Sequence, residues 1–160
     1  MNLKYFALLV LVILLPTSCI KTSSIPTSQS QPLPSESPVD SIRGYLTALK
    51  KRDFNKAYKY LSLVYAKNLD VKSYKINMEN LVKQYDYKLE NFDIKGVSRL
   101  GDQAYIAVDL EVNYNSAETG QKVSKKTGIR YILFPIDDFW KITSDSCIEN
   151  CEEEKIMIKK

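Results

Sequence analysis

The sequence predicts an α+β domain, with three N-terminal helices packed on one face of an antiparallel sheet of about four strands. Two patterns carry this reading. Between Pro38 and Gln84 the apolar residues recur at spacings of three and four, and after Tyr87 they alternate in twos. Residues 39–160 are enough for one compact domain that needs no cofactor for its stability. The charge balance narrows the class of protein. The 23 Lys and Arg exceed the 19 Asp and Glu by only four and are spread along the chain, whereas a nucleic-acid binder concentrates its basic residues on one face. There is no histidine, which removes histidine metal sites, Ser-His-Asp triads and Cys-His dyads.

The elements follow in order. Ser37-Pro38 opens the first helix, with Ser37 as N-cap and Pro38 at the first helical position. Val39, Ile42, Leu46 and Leu49 form its apolar face, and the charged knot Lys50-Lys51-Arg52-Asp53 ends it. Asp53 caps a second helix with Phe54, Ala57, Tyr58 and Leu61 as its stripe. Asp70 to Gln84 is a third, with Tyr74, Met78, Leu81 and Tyr85 on one side. Residues 88–99 read as a strand anchored by Phe92, Ile94 and Val97. After a turn at Leu100-Gly101-Asp102, residues 103–114 alternate without a break, Ile106, Val108, Leu110 and Val112 pointing one way. Lys122 to Ile136 is a long strand whose second half is apolar on both faces. Asp137-Asp138 turns the chain into a last strand, Phe139 to Ser144, with Trp140 and Ile142 facing inward. Glu149 to Lys160 reads either as an edge strand or as a frayed tail.

The stretch Val39 to Ser62 resembles the opening of the nuclear-transport-factor-2-like superfamily. Asp53-Phe54-Asn55-Lys56-Ala57-Tyr58 matches its D-[aromatic]-x-x-A-Y start of the second helix, and Trp140-Lys141-Ile142 matches the W-[KR]-[IV] end of its last strand. The resemblance covers nearly all of residues 39–160. It implies a strongly bent sheet and a cone-shaped pocket between sheet and helices. It says little about activity, because this fold hosts isomerases, dehydratases, ligand binders and scaffolds. It is also similar in layout to small bacterial lipoproteins and to the membrane-proximal domain of some penicillin-binding transpeptidases. Pocket enzymes of this kind use a buried Asp-His pair, or a buried Tyr and Asp. Here histidine is absent, and the alternation places Asp109 and Glu111 on the polar face of their strand and Asp137 and Asp138 in a turn. No carboxylate is expected on an apolar strand face, where a raised-pKa acid would sit. Tyr58, Tyr74, Tyr85, Tyr105 and Tyr131 are expected in the core or at its rim.

The N-terminus carries a different signal. Lys4 is followed by an unbroken apolar run from Tyr5 to Leu15 and then by Pro16-Thr17-Ser18-Cys19. This is the layout of an export signal over residues 1–18, and the run is short for the roughly 20 residues of a membrane-spanning helix. Cys19 after small residues resembles the lipobox of bacterial lipoproteins, with Pro16 standing where that motif prefers an aliphatic residue. The resemblance implies acylation of Cys19, palmitate-type chains anchoring the protein to the membrane at about 0.8 kcal/mol per buried CH₂. Residues 19–38 hold four of the six prolines and few apolar groups, so they are expected to form a disordered tether reaching about 24 Å as a coil.

With Cys19 acylated, Cys147 and Cys151 remain as an even pair. Outside the cytoplasm such a pair reads as a disulfide. Free thiols and a redox pair are the other readings, the latter lacking the two-residue spacing of the catalytic motif. Lys50-Lys51-Arg52 and Lys122, Lys125 and Lys126 are either solvated or positioned to touch an anionic surface. The sequence thus describes an exported, extracytoplasmic, non-enzymatic lipoprotein of the cell envelope that binds a partner protein or a small apolar ligand. No catalytic residue, metal, cofactor or nucleic acid is expected. The alternatives are an isomerase or hydratase with a Tyr/Asp pocket, and an accessory or regulatory module for cell-wall enzymes.

Overall fold

The computed structural model describes residues 35–151; the export signal, Cys19 and all but the last few tether residues, and the tail beyond Cys151, lie outside the described residues. The chain runs α1 (Pro38–Lys50), α2 (Phe54–Tyr58), α3 (Val71–Tyr85), β1 (Lys88–Leu100), β2 (Gln103–Asn115), β3 (Lys122–Ile136) and β4 (Phe139–Glu149). The strands form one antiparallel sheet in the order β1-β2-β3-β4. Among the described residues no helix is long and apolar enough to cross a membrane.

Each helix starts where a side chain can satisfy a free backbone N–H. The Ser37 hydroxyl accepts from the Asp40 N–H at 3.2 Å and donates to the Asp40 carboxylate at 2.7 Å. Asp53 accepts from the Lys56 N–H at 3.0 Å, and Asp70 from the Ser73 N–H at 2.7 Å. That last bond holds the exposed Asp70 carboxyl below its usual pKa.

Two helices depart from the sequence expectation. α2 closes after five residues, so Leu61 is not part of its stripe. The backbone there is taken by the sheet: the Ile142 N–H donates to the Tyr60 carbonyl at 2.8 Å, the Ser62 N–H donates to the Ile142 carbonyl at 2.9 Å, and Leu61 pairs with Ile142 in an isolated bridge. On α3 only Tyr74 is fully buried, and Met78 and Val82, rather than Leu81 and Tyr85, complete the packed side. The helix presents a strict i, i+4, i+8 row because it lies along the rim of the core.

The core sits between the helices and one face of the sheet, the inner face. β2 buries every second residue there, Ala104, Ile106, Val108, Leu110, Val112 and Tyr114. Ile129, Tyr131 and Leu133 of β3, with Trp140 and Ile142 of β4, continue it, and Ile42, Tyr45, Leu46 and Ala48 of α1 close over it. On the outer face Asp93 stands opposite Asp109. Lys95 bonds Asp93 at 2.6 Å and pairs with Asp109 at 3.6 Å, and Lys126 pairs with Asp109 at 3.5 Å, which offsets the like-charge contact.

The edge strands differ from the sequence reading. β1 carries register shifts at Leu89/Asn91 and Ile94/Gly96, so its inward row runs Leu89, then Phe92 and Ile94, then Val97 and Arg99. Leu89 is its one fully buried residue, and the expected anchor Val97 is 49% exposed. β4 continues to Glu149, five residues beyond the expected end, and also shifts register twice. Both centre residues of the β3–β4 turn, Asp137 and Asp138, take the left-handed conformation that a tight two-residue hairpin requires.

Candidate functional site

The inner face collects tyrosines from almost every element. Tyr45 of α1 meets Tyr131 of β3 edge-on, ring centroids 6.2 Å apart. Tyr74 of α3 tilts against Tyr58 of α2 at 5.5 Å, and the Tyr58 hydroxyl donates to the Leu69 carbonyl at 2.7 Å. Tyr65 comes from the segment 61–69, which the Tyr60 and Ser62 backbone bonds pin to the free edge of β4. The Ser62 hydroxyl fixes its direction further by accepting from the Tyr65 N–H at 3.1 Å.

Tyr65 leads to a sequence expectation that the structure overturns. Its hydroxyl donates to the Asp145 carboxylate at 2.8 Å. Asp145 lies on the inner face, opposite buried Tyr131. Strict alternation from Ile142 would point it outward. The shift at Ile132/Leu133, where Ser144 pairs with Ile132 but Ile142 pairs with Leu133, leaves Thr143 as an extra residue. One extra residue reverses the facing of everything after it. Asp145 and Cys147 therefore turn inward, and a carboxylate does enter the apolar side of a strand. Ser144-Asp145-Ser146, a run of poor strand formers, is the trace of this bulge in the sequence.

Burial governs the phenols. It is the largest cause that raises Tyr45 well above its ordinary value, with neighbouring Tyr65, Tyr74 and Tyr131 adding to it. It raises Tyr65 beyond the usual phenol range, with Tyr131 and Asp145 contributing. Tyr74 and Tyr87 are each pushed up to about 12 by burial. These groups stay protonated at neutral pH, so they donate hydrogen bonds and do not serve as bases. Of the five tyrosines expected in the core or rim, Tyr74 and Tyr131 are buried and Tyr58 and Tyr85 half-buried on the helix side. Tyr105 lies on the outer face, its hydroxyl on Gln103 Oε1.

The other candidates separate. Cys147 and Cys151 form a disulfide with Cα atoms 5.8 Å apart, just beyond the inward-turned end of β4. Lys122 and Lys126 take the outer parity of β3, while Lys125 takes the inner, opposite Val112, so this cluster does not share one face. Lys50, Arg52 and Lys88 rim a shallow recess over Leu49, Phe54, Met78, Val82, Tyr87 and Leu89, with a volume near 10 Å³, about one water. Among the described residues no three His, Cys, Asp or Glu side chains converge to hold a metal ion.

No family model matches the chain, and no curated protein matches it. Solved structures do. It is similar to a ketosteroid isomerase-like protein from Erwinia carotovora atroseptica, with a TM-score of 0.52 and 15% identity over 69% of this chain and 92% of that one. It is also similar to a SEC-C motif containing protein from Rhodopseudomonas palustris, with a TM-score of 0.53 and 12% identity over 71% and 80% of the two chains. An NTF-2 like protein of unknown function from Shewanella oneidensis aligns over 68% of this chain and 93% of its own at 18% identity and a TM-score of 0.47. At such identities the likeness is one of fold. The domain has the nuclear-transport-factor-2-like fold.

Proposed function

We propose that this protein is a non-enzymatic binding domain of the cell envelope, exported by its N-terminal signal and held on the outer side of the membrane by acyl chains on Cys19. Its ligand is a small apolar molecule carrying a hydrogen-bonding group, received where the tyrosine-lined inner face reaches the surface beside Tyr65 and exposed Asp145. The observation that carries this is the character of that face. It carries the phenols of Tyr45, Tyr65 and Tyr74, all protonated at neutral pH, and phenols combine apolar area with a hydrogen-bonding tip at low entropic cost. The carboxylate on the face, Asp145, is exposed and already accepts from Tyr65, whereas a general acid of this kind is desolvated in an apolar pocket.

Native mass spectrometry of the full chain purified from its own envelope tests the ligand. The expected result is a reproducible non-covalent adduct that Tyr65→Phe weakens. A chain that is always bare overturns it. The anchor is tested separately: Cys19→Ala is expected to move the protein out of the membrane fraction. The Tyr65–Asp145 pair also supports a second reading, an isomerase or hydratase in which Asp145 moves a proton. A turnover activity abolished by Asp145→Asn, with the fold intact, would establish that reading in place of the first.

A further inference from the structure

We infer that the basic-rimmed recess between α1, α3 and β1 is a docking surface for a partner protein, seating one apolar side chain of an exposed acidic segment. The recess lies at the β1 edge of the sheet, whereas Tyr65 and Asp145 meet at the β4 edge. It therefore stands apart from the ligand and the anchor proposed above. Its floor and its rim differ in kind. Phe54 and Leu89, 5% and 3% exposed, are its most deeply buried residues, and half-buried Leu49, Met78 and Val82 complete the apolar part. Lys50, Arg52 and Lys88 stand exposed around it.

The charges around the recess are one-sided. Among the described residues no carboxylate lines it. Asp53, next to Arg52, is turned toward α2, where it accepts from the Lys56 N–H at 3.0 Å. Glu90 holds Lys88 at 2.8 Å and accepts from the Asn113 side-chain amide at 2.9 Å, which sets it on the outer face. Lys50 and Arg52 form no ion pair among the described residues. Two cations beside apolar surface, with no acid of their own, are complementary to an acid that arrives from outside. The helix end explains only Lys50, because a cation in the last turn suits the partial negative charge of the free carbonyls. Arg52 lies past that end with a left-handed backbone, φ 58°, where glycine is the usual residue. The turn is closed by backbone alone: the Arg52 N–H donates to the Leu49 carbonyl and the Asp53 N–H to the Ala48 carbonyl, both at 2.9 Å. The arginine side chain is not needed for the turn.

Size selects the occupant. The recess holds about 10 Å³, the room of one water. A hydrocarbon tail or a buried small molecule needs a pocket of about 300 Å³ or more. The end of one aliphatic side chain is what such a recess admits, as protein interfaces seat anchor residues in small pockets. Met78 can adjust its shape to that end. Tyr87, also lining the recess, brings a hydroxyl with no hydrogen-bond partner among the described residues, and burial keeps it protonated and able to donate. A lone anion would leave the apolar floor unused. An acidic segment carrying a leucine-like residue uses floor, rim and hydroxyl together.

The test titrates the full isotope-labelled chain with the synthetic peptide Glu-Glu-Leu-Glu-Glu and follows the backbone amide signals by NMR, which detects weak binding. The expected result is saturable shifts at Lys50, Arg52, Met78 and Lys88 that raised salt weakens. Arg52→Gly should lower the affinity roughly threefold, and together with Lys50→Gln roughly tenfold. The melting temperature of Arg52→Gly should hold or rise, since glycine accepts the left-handed backbone without strain. If the double variant fails to fold, the two single variants are read instead. Lys51→Gln removes an equal charge that does not line the recess and should leave the affinity unchanged. Absence of shifts at these residues overturns the inference. So does a peptide with serine in place of leucine that binds equally well, or a Lys51→Gln loss equal to that of Arg52→Gly, because either reduces the recess to a charged surface. Hexanoate that reproduces the shifts assigns the site to a small amphiphile, and phosphatidylglycerol vesicles that do so while the peptide does not assign it to a membrane; both results overturn the partner protein.

Discussion

β1 and β2 are neighbours of equal length, 13 residues each, yet they behave differently. β2 buries six alternate residues and keeps an unbroken register with β3. β1 shifts register twice and fully buries only Leu89. The other edge strand, β4, also shifts twice. The central pair is held by ladders on both sides and a core on one face. An edge strand has one free side, so an extra residue costs little there and can re-aim side chains. The centre supplies stability. The edges place the groups with chemical interest, Asp145 on β4 and Arg99 on β1.

The comparison breaks if centre and edge respond alike to substitution. Ile106→Ala or Leu133→Ala, at positions with no exposure, should cost about 2–5 kcal/mol in denaturant titration. Alkaline pH tests the same interior through its phenols. Unfolded chains ionise tyrosine near its ordinary value of 10.0, but burial holds Tyr74 and Tyr87 in the folded chain up to about 12. A raised folded pKa means that the unfolded state loses its protons first. Stability should therefore be unaffected by these groups below pH 10 and fall between 10 and 12, as melting temperatures against pH would show.

Smaller effects sharpen the contrast. Replacing Cys147 and Cys151 by Ser removes a five-residue loop at the end of β4, and should lower stability by about 2 kcal/mol or less. Tyr65→Phe should cost at most about 1 kcal/mol, because exposed Asp145 can turn to water. Ser41 on α1 is fully buried, and its hydroxyl has no partner among the described residues. Ser41→Ala should thus be neutral or stabilise by about 0.5–1 kcal/mol, the opposite sign to every other core change. Val97→Ala, half-exposed on bulged β1, should change stability by less than about 0.5 kcal/mol.

What the chain declares locally agrees with the fold. Ser37-Pro38, Asp53 and Asp70 mark helix starts, because a cap bond needs only a side chain and a backbone N–H three residues on. β2 could be read residue by residue, because a regular strand keeps its period of two. The DFxxAY and WKI motifs carry the fold resemblance, which the similar ketosteroid isomerase-like structure supports.

The tertiary structure decided what depends on distant partners. α2 stops after five residues because the Tyr60 and Ser62 backbone groups are claimed by Ile142, about 80 positions away along the chain. Asp145 faces Tyr65 because Thr143 is left over when β4 pairs with β3. The register of a bulged strand is a balance between two ladders and the core beneath them, and no window of sequence contains all three. Local hydrogen bonding and periodicity are written along the chain; the parity of an edge strand exists only once its neighbour is in place.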